Sequence, residues 1–333
     1  MAGPLPASEE ARRWHAIGTH GSIATAARSI GLAPGVLRNW ANGRPRETQP
    51  EAPVAAPVLS PAAPPAEPVK PHYTVRLDRI GGRDTTRVLA IGDAHDGPKV
   101  PKDRFRWMGA LAADIQPDVI VQIGDFLSLD SLCRYDDNAS LKGKAKPSLK
   151  EDLESFKEAL AAFDEGLGGF RPERHVTLGN HEDRIWSFTN RTPEVADLLT
   201  ENLHTILTDR GWSYSPFGVL HFYGGVGFTH APLNTMGKPY GGLYAENQVA
   251  RDALHDVVYG HSHKRVDKPY PKMGHRKLTV VNLGCALPDG HVEEYARHSL
   301  TGWSYGVYDL TIRNGGIEAA HWIPMATLQD RYA

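Results

Sequence analysis

The chain of 333 residues is 41% hydrophobic and 23% charged, with a formal net charge of −2. These values are typical of globular proteins and exclude a wholly disordered chain, a coiled coil and a fibrous protein. The length predicts two domains, or one large domain with an appendage. There is no run of about 18 apolar residues, so no membrane span is predicted, and residues 1–11 lack the pattern of a secretory signal. Because Cys133 and Cys285 are the only cysteines, we expect a reduced, cytoplasmic protein without a disulfide framework or Cys-rich zinc site.

Residues 1–48 are predicted to form a small helical head. The predicted helices cover Glu9–Ile17, Ser22–Ser29, and Pro34 to Ala41 or Gly43. Ser8 is the expected cap of the first helix, and Gly31 is the expected left-handed turn residue before the third. Eight apolar side chains are expected to make one core: Ile23, Ala26, Ala27, Ile30, Leu32, Val36, Leu37 and Trp40.

The spacing over Ile23 to Asn42 resembles the helix-turn-helix motif of DNA-binding proteins. The resemblance implies that Arg38 and Asn39 face outward on a recognition helix, with Arg44 and Arg46 near phosphates. DNA would then be a partner of the protein through this head. The alternative is a three-helix bundle used for protein contacts or oligomerisation.

Residues 49–71 are rich in Pro and Ala and have no apolar periodicity, so we expect an extended, semi-stiff linker. Six arginines against three glutamates give residues 1–48 a charge of +3. Lys70 against Glu51 and Glu67 gives the linker a charge of −1. Because the whole chain carries −2, residues 72–333 must carry −4. The sequence thus predicts a basic head over 1–48, a linker over 49–71 and a large domain over 72–333.

The large domain alternates between strand and helix patterns. Buried strands are predicted at Arg87–Ile91, Asp118–Ile123 and His175–Leu178, with helices at Asp103–Ile115 and Ser148–Phe163 between them. This alternation predicts an α/β fold with ligands at the carboxyl ends of its strands. Six further strands with fewer helices indicate a second sheet: Gly218–His221, Val226–Thr229, Asp256–Tyr259, Leu278–Asn282, Trp303–Ile312 and Ile317–Trp322.

Polar clusters directly follow five of these strands. In chain order they are Asp93–Ala94–His95, Gly124–Asp125, Gly179–Asn180–His181–Glu182, His230, and Gly260–His261–Ser262–His263. Taken singly, each cluster has an ordinary explanation: Asp-x-His is a common pattern, Gly-Asp and Gly-His-Ser-His also occur in turns, Gly-Asn-His-Glu in a loop with a helix cap, and His230 would more often be a satisfied buried histidine. Taken together, they are expected to meet at one edge of the sheet and to share one site.

The residue types in these clusters suit a pair of divalent cations. Carboxylate, imidazole and amide groups form a mixed O/N set that accepts manganese, iron, zinc, cobalt or nickel. The Asp-x-His and His-x-His spacings place two side chains on the same side of an extended segment. Asp125 is the natural candidate for a carboxylate that bridges both cations.

The order of the motifs resembles the calcineurin-like metallophosphoesterase family, over about Thr86 to Leu283. The resemblance implies a metallophosphoesterase-type α/β/β/α sandwich with a binuclear metal centre between its loops. It also implies that His181 is a catalytic histidine that binds no metal. The implied ligands are Asp93, His95 and His263 for one metal, Asp125 as the bridge, and Asn180, His230 and His261 for the second.

The reaction expected from this centre is hydrolysis of a phosphate ester. A hydroxide shared between two cations is a strong nucleophile at neutral pH, and His181 could protonate the leaving oxygen. Arg184, one turn beyond His181, either clamps a phosphate oxygen or lies on a solvated helix face.

Two details of the sequence narrow the range of expected substrates. No Arg follows Gly124–Asp125 where the protein Ser/Thr phosphatase branch has one, which disfavours a phosphoprotein phosphatase. The Gly260–His261–Ser262–His263 ending is similar to branches that act on phosphodiesters and nucleotides. We therefore predict a DNA-directed phosphodiesterase or nuclease. The alternatives are a phosphomonoesterase for nucleotides or proteins with an assembly head, and a DNA-binding regulator with a vestigial metal site.

Overall fold

The computed structural model describes residues 7–20, 22–42, 85–134, 141–274, 276–293, 296 and 302–333. The chain divides into two compact units, Met1–Pro68 and Val69–Ala333. The predicted linker, Arg44 and Arg46 lie outside the described residues. Among the described helices, none combines the length and the apolar composition that crossing a bilayer requires.

The described residues of the first unit form three helices, close to those predicted. They are α1 (Ala7–Thr19), α2 (Ile23–Ser29) and α3 (Pro34–Ala41). Ser8 lies inside α1 instead of capping it, and the helix continues past Gly18. Ser22 caps α2, because its Oγ accepts a hydrogen bond from the Thr25 amide at 3.2 Å. Gly31 has a φ of +75°, the left-handed turn that the sequence predicts.

A small core holds these three helices together. Ala16, Ala26, Ala27 and Leu37 are buried, and Ile17, Ile23, Ile30, Leu32 and Trp40 pack around them. The prediction that Val36 belongs to this core is wrong, since its side chain is 50% exposed. Leu37 and Trp40, three positions apart, define the inner face of α3 and leave Val36 on the outer face. Arg38 and Asn39 are also exposed on this helix.

The second unit is built on two sheets. Its strands are β1 (Thr85–Ile91), β2 (Val119–Gln122), β3 (Glu173–Thr177), β4 (Ser213–Ser215), β5 (His221–Tyr223), β6 (Val226–Phe228), β7 (Val257–Tyr259), β8 (Arg265–Lys272), β9 (Arg276–Leu283), β10 (Gly306–Arg313) and β11 (Gly316–Pro324). The first sheet has the order β11-β10-β1-β2-β3-β4 and the second β5-β6-β7-β9-β8. Strands β1 to β4 are parallel, as are β6, β7 and β9, so each sheet has one edge where several carboxyl ends meet.

Helices cover both outer faces of the paired sheets. They are α4 (Asp103–Ile115), α5 (Leu141–Lys144), α6 (Leu149–Leu167), α7 (Asp183–Thr189), α8 (Ala196–Thr208), α9 (Ala245–Asp252) and α10 (Met325–Tyr332), with 3₁₀ turns at Asp130–Leu132 and Pro193–Val195. Ser148 and Glu151 form a capping box at the start of α6, so the residue predicted to open this helix is its cap.

The pleat of β1 shows how the layers form. Leu89 and Ile91 pack into the core beneath the helices of the first sheet, whereas Val88 and Ala90 pack into the core between the two sheets. Successive side chains of a strand point to opposite faces, so a strand that is apolar at every position is buried on both sides. The predicted α/β/β/α sandwich is confirmed.

In the second sheet, the structure differs from the sequence prediction at two strands. The strand predicted at Gly218–His221 begins only at His221, because Gly218 has a φ of +78° and the Val219 amide closes a turn onto the Pro216 carbonyl at 3.2 Å. Strand β8 was not predicted, since Pro269 and Pro271 interrupt its apolar pattern. Its place at the edge of the second sheet explains why both prolines are tolerated.

Candidate metal centre

The five polar clusters meet at the carboxyl edge of the two sheets. The Asp125 carbonyl accepts hydrogen bonds from the amides of Ala94 and His95, at 3.0 and 2.8 Å. In the same way, the His230 carbonyl accepts from the Gly260 amide at 2.9 Å. These bonds tie neighbouring strand ends to one another, so residues far apart in sequence surround one point.

The first ligand group contains Asp93, His95 and His263, all of them buried. The Nε2 atoms of His95 and His263 are 3.0 Å apart. His263 Nε2 also lies 3.1 Å from Asp93 Oδ2. Three potential ligand atoms therefore converge from the loops after β1 and β7.

The second ligand group is centred on His230 Nε2. This atom lies 3.0 Å from Asn180 Oδ1, 3.2 Å from His261 Nδ1 and 3.3 Å from Asp125 Oδ2. Asp125 and His230 are buried, whereas His261 is exposed. The second group therefore opens to solvent on the side of His261, where a substrate can enter.

Asp125 connects the two groups. Its Oδ2 atom lies 3.8 Å from His95 Nε2 in the first group and 3.3 Å from His230 Nε2 in the second. Burial alone would raise the pKa of Asp125, but His230 and His181 outweigh it and hold this pKa well below its usual range. Burial lowers the pKa of His230, whereas the carboxylates of Asp125 and Asp93 raise it, and the result is a pKa of about 9. The carboxylates thus attract positive charge to this point.

The donor set fits divalent cations. Asp93 Oδ2 is buried without a hydrogen-bond partner among the described residues, and the Nε2 atoms of His95 and His263 converge beside it. Buried polar atoms without partners are costly, and lone pairs that converge on one point are stabilised by a cation between them. Oxygen and imidazole ligands together suit first-row divalent metals.

The backbone around the site is strained at the ligands themselves. His95, Asp125, His261 and His263 have positive φ values of 42°, 47°, 69° and 57°. Residues other than glycine rarely adopt this left-handed conformation, and it persists where the surrounding structure enforces it, often at functional sites.

Two glycines leave room for the carboxylates. A Cβ atom on Gly179 would collide with the side chain of Asp125, and one on Gly260 would collide with Oδ1 of Asp93. The backbone of each loop therefore approaches a carboxylate more closely than any other residue permits.

His181 and Arg184 lie beside Asp125. The Nδ1 atom of His181 faces the Ser128 carbonyl at 2.8 Å, and its Nε2 atom lies 3.9 Å from Asp125 Oδ2. Arg184 reaches the same Nε2 atom from Nη2 at 3.2 Å and donates from Nη1 to the Ser128 carbonyl at 2.7 Å. Burial lowers the pKa of His181, Asp125 opposes this shift, and Arg184 adds to it. Arg184, with 18% of its side chain exposed, does not lie on a solvated helix face.

Glu182 has a structural role that the sequence reasoning missed. Its carboxylate accepts hydrogen bonds from four backbone amides, those of Asp125 (3.0 Å), Phe126 (2.7 Å), Leu127 (3.1 Å) and Gly179 (2.6 Å). It therefore fixes the loop that carries Asp125 against the loop that carries Asn180. The sequence signal that could have pointed to this role is the place of Glu182 as the fourth residue of the Gly-Asn-His-Glu motif.

Trp303 is a second neighbour of the site that was not predicted. Its ring meets that of His263 edge to face, with centroids 4.3 Å apart. The sequence predicted Trp303 only as the start of a strand, whereas β10 begins at Gly306 and leaves Trp303 in the loop before it.

A family model for calcineurin-like phosphoesterases matches residues 86–265 of the chain. The chain belongs to this family. All five polar clusters lie within the matched range, which covers both ligand groups. The protein is therefore a metal-dependent hydrolase whose substrate is a phosphate ester, as the sequence predicts.

Individual relatives are distant. The chain is 25% identical over 250 residues to the Gene 54 protein of Mycobacterium phage D29, covering 68% of this chain and 89% of that protein. Vps29 of Entamoeba histolytica complexed with zinc is a structural neighbour at 14% identity and a TM-score of 0.30. TT1561 of Thermus thermophilus is another, at 11% identity and a TM-score of 0.34. Each of these two comparisons covers 72% of this chain and 99% of the other.

Proposed function

We propose that the protein is a DNA-directed phosphodiesterase or nuclease that works with two divalent cations. The observation that carries this proposal is the pair of ligand groups that share one oxygen atom, Asp125 Oδ2. One cation would be held by Asp93, His95 and His263, and the second by Asn180, His230 and His261, with Asp125 between them. The set accepts manganese, iron, zinc, cobalt or nickel.

When bound, such cations supply a hydroxide nucleophile at neutral pH and offset the charge of the phosphate oxygens. Residues of the chain itself orient the shared carboxylate and hold its loop in place. The Asp125 carboxylate is oriented by the His181 amide, which donates to Oδ1 at 2.8 Å and leaves Oδ2 toward both ligand groups. Glu182 holds the loop of Asp125 in the position that this requires.

His181 is the residue placed to move a proton. The Nδ1–H donated to the Ser128 carbonyl fixes the ring, so that Nε2 faces the site next to Asp125. When the ring is protonated at both nitrogens, the Nε2 proton can pass to the leaving oxygen as the ester bond breaks, which leaves a neutral ring with its proton on Nδ1. Arg184, whose Nη2 lies beside Nε2, is placed to hold a phosphate oxygen at the same spot.

The DNA-directed part of the proposal rests on the head. Its α3 helix exposes Arg38 and Asn39, and residues 1–48 carry a charge of +3. A head that binds DNA, and that a long linker joins to the second unit, raises the local concentration of phosphodiester bonds near the metal centre. Arg44 is a further candidate for a phosphate contact from the sequence.

One observation favours the second candidate, a phosphomonoesterase with an assembly head. Arg12 and Arg13 both lie near Glu9, at 3.8 and 3.2 Å, which reduces the positive charge available to DNA. The third hypothesis is a DNA-binding regulator with a vestigial metal site. It is disfavoured because every expected ligand position carries a side chain that can bind a metal.

A metal screen with two chromogenic esters separates these candidates. Purified protein is loaded with each metal in turn and assayed on bis-p-nitrophenyl phosphate, p-nitrophenyl phosphate, plasmid DNA and linear DNA. The proposal expects the diester and at least one DNA to be cleaved. Cleavage of the monoester alone would favour the phosphomonoesterase, and no cleavage with any metal would favour the regulator.

The head is tested separately, by gel shift with duplex DNA at two salt concentrations. Arg38→Ala combined with Arg44→Ala should weaken binding, and the defect should shrink as salt rises, because phosphate contacts release counterions. Arg12→Ala is the control, since it removes a charge from α1. If all variants bound DNA as the wild type does, the head would be an assembly module.

A further inference from the structure

A second concave site lies at the opposite end of the sheets from the metal centre. It is an open cleft of about 740 Å³, a size in the usual range of ligand sites. Three segments line it: residues 251 and 253–256 before β7, residues 272, 273 and 276–279 from the ends of β8 and β9, and residues 313–318 at the turn between β10 and β11. Strand β7 separates the cleft from His261, and its three residues span about 10 Å at about 3.3 Å per residue.

The cleft is basic in a domain that is acidic. Its lining includes five cations, Arg251, Lys272, Arg276, Lys277 and Arg313. The two carboxylates of the lining, Asp256 and Glu318, leave a formal charge of +3, whereas residues 72–333 together carry −4. Positive charge is therefore concentrated at this cleft.

Two of the cations are available for a ligand. Within the described part of the chain, neither Arg276 nor Lys277 forms an ion pair or a side-chain hydrogen bond, and both are exposed. The other three are engaged: Arg251 with Asp252 at 2.7 Å, Arg313 with Glu318 at 3.2 Å, and Lys272 with the Arg251 carbonyl at 3.1 Å. Arg276 is directly paired with Lys272 across the β8–β9 ladder, so two cations stand side by side.

The floor of the cleft is fixed by Asp256. Its Oδ1 accepts a hydrogen bond from the Thr279 amide at 2.8 Å, and its Oδ2 accepts from the Ile317 amide at 2.7 Å. Asp256 precedes β7, Thr279 belongs to β9 and Ile317 to β11, so one buried carboxylate joins both sheets here. The cations thus stand around a floor that is held by hydrogen bonds.

Two exposed apolar side chains also line the cleft. Leu254 and Met273 line it, and they are 92% and 95% exposed. Apolar side chains at a concave site give a ligand apolar surface to pack against, beside the polar groups that orient it. A ligand that matches both features carries several negative charges and apolar surface between them.

We propose that this cleft is an accessory binding site for the phosphate backbone of single-stranded nucleic acid. A single strand presents successive phosphates to Arg276 and Lys277 and unpaired bases to Leu254 and Met273. In a duplex the bases are paired and stacked on one another, so their faces are not free to contact these two side chains. The inference goes beyond the proposed function, because it requires only that the second unit binds a single strand. It requires neither cleavage of that strand nor binding by the head.

The test is fluorescence anisotropy with the full-length, metal-loaded protein. The probe is a labelled phosphorothioate oligothymidine of 12 nucleotides, which keeps its charge and resists cleavage during the titration. The double variant Arg276→Ala with Lys277→Ala should bind it more weakly. Two lost contacts should reduce the slope of log K against log salt by about 1.4, since each contact to a single strand contributes about 0.7. Between about 50 and 200 mM salt, this difference makes the defect about sevenfold larger at the lower salt.

A matched control removes two exposed cations elsewhere in the same unit. Lys157→Ala with Arg171→Ala changes the net charge equally and should leave the slope unchanged. The cleft variant should also hydrolyse bis-p-nitrophenyl phosphate at the wild-type rate, since neither residue lies at the metal centre. An unchanged slope in the cleft variant, an equal loss in the control, or tighter binding of a polyglutamate peptide of the same charge would overturn the proposal. If the oligonucleotide binds through Arg276 and Lys277 but no diester is cleaved, the proposed function fails and this inference stands.

Discussion

The two sheets contribute to the metal centre in different ways. The first sheet supplies Asp93, His95, Asp125 and Asn180 from loops that hydrogen bonds within the protein hold in place. Glu182 accepts hydrogen bonds from four backbone amides in two of these loops. The Gln122 side-chain amide donates to the Gly92 and Gly124 carbonyls at 3.2 and 3.0 Å. Most of the candidate ligands from this sheet are therefore held before any cation binds.

The second sheet supplies His230, His261 and His263 from shorter elements. Strands β6 and β7 have three residues each. Beside the ligands, Asn282 donates to Ser262 Oγ at 2.6 Å, and Trp303 supports His263 with an edge-to-face ring contact. His261 is exposed. This side of the site is held by fewer bonds and is the side that opens to substrate.

The difference indicates a division of work. The first sheet fixes the position of the shared carboxylate, and the second completes both ligand groups around it. Asp125 is the residue where the two contributions meet, so a change there should affect the centre more than a change on either side.

The largest effect is expected for Asp125→Asn. Loss of the shared carboxylate should lower turnover of bis-p-nitrophenyl phosphate by about 10³-fold or more, since cation stabilisation of the transition state amounts to several kcal/mol. Bound metal, measured by mass spectrometry, should fall. His261→Ala should lower bound metal less, because it removes a ligand from one group only.

Asp114→Asn is the control for this change. Asp114 pairs with Arg331 at 2.9 Å on the surface and is 45% exposed, so its loss should leave turnover unchanged. Wild-type turnover with full metal content in Asp125→Asn would rule out the bridging assignment.

A somewhat smaller effect is expected for His181→Asn. A positioned general acid contributes about 10²–10⁴-fold, and His181 is not among the proposed ligands. Turnover should therefore fall by this factor while the metal content stays at the wild-type level. The loss should be smaller for an ester with a good leaving group, which needs little protonation.

His204→Asn controls for the removal of a half-buried histidine, since His204 stacks on Tyr214 away from the centre. An equal loss across all leaving groups would indicate that His181 positions the substrate. Loss of metal would make it a ligand.

Much of this architecture was predictable because its signals are local. Val88, Leu89 and Ala90 form an apolar run that stops at Gly92–Asp93, and a buried strand followed by a turn is what the structure contains. The same reasoning identified all three parallel strands of the first sheet that precede the ligand clusters. The order of those clusters then allowed the family to be identified.

The rest depended on contacts between distant residues. The bonds of Glu182 to Asp125, Phe126 and Leu127 join positions more than 50 apart; the motif marks Glu182 itself, but nothing in the local sequence marks its partners. The cleft around Arg276 and Lys277 forms only where three separate turns meet. The inward position of Leu37 and the outward position of Val36 were likewise fixed by how α3 packs on its neighbours.

A comparison of Glu182→Gln with Asn282→Ala tests whether the first sheet is the better fixed side. The glutamine amide presents N–H groups to backbone donors, so the loops of Asp125 and Asn180 should loosen. Loss of such an outer partner typically costs about 10–100-fold in metal affinity. We expect Glu182→Gln to show this loss in a metal competition titration, and Asn282→Ala to show a smaller one.

Glu182→Asp keeps the carboxylate and should recover part of the affinity. Thermal unfolding of all three proteins shows whether they are folded at the assay temperature. A larger loss in Asn282→Ala than in Glu182→Gln would reverse the comparison between the sheets.

The last effect concerns stability rather than metal binding or turnover, at the place where the two sheets touch at His175 and His221. The rings of His175 (β3) and His221 (β5) are stacked with centroids 3.6 Å apart. Burial, with a smaller contribution from His221, lowers the pKa of His175 to about 2. The folded state therefore keeps His175 neutral, whereas the unfolded chain takes up a proton below its ordinary pKa of about 6.5. Stability should be lost as the pH falls below about 6.5, by about 1.4 kcal/mol per pH unit from this residue.

Replacing His175 by Asn removes this titration and keeps a polar side chain that can bond to Ser213 or Ser215, the present partners of the ring at 2.7 and 3.1 Å. In urea unfolding between about pH 6.5 and 4.5, the variant should lose about 1.4 kcal/mol less per pH unit than the wild type. His204→Asn is again the comparison, because the pKa of His204 is also lowered by burial, but in a ring that is only half-buried. Equal slopes in the wild type and His175→Asn would mean that His175 is already protonated in the folded protein, and that the two sheets tolerate a charge where they meet.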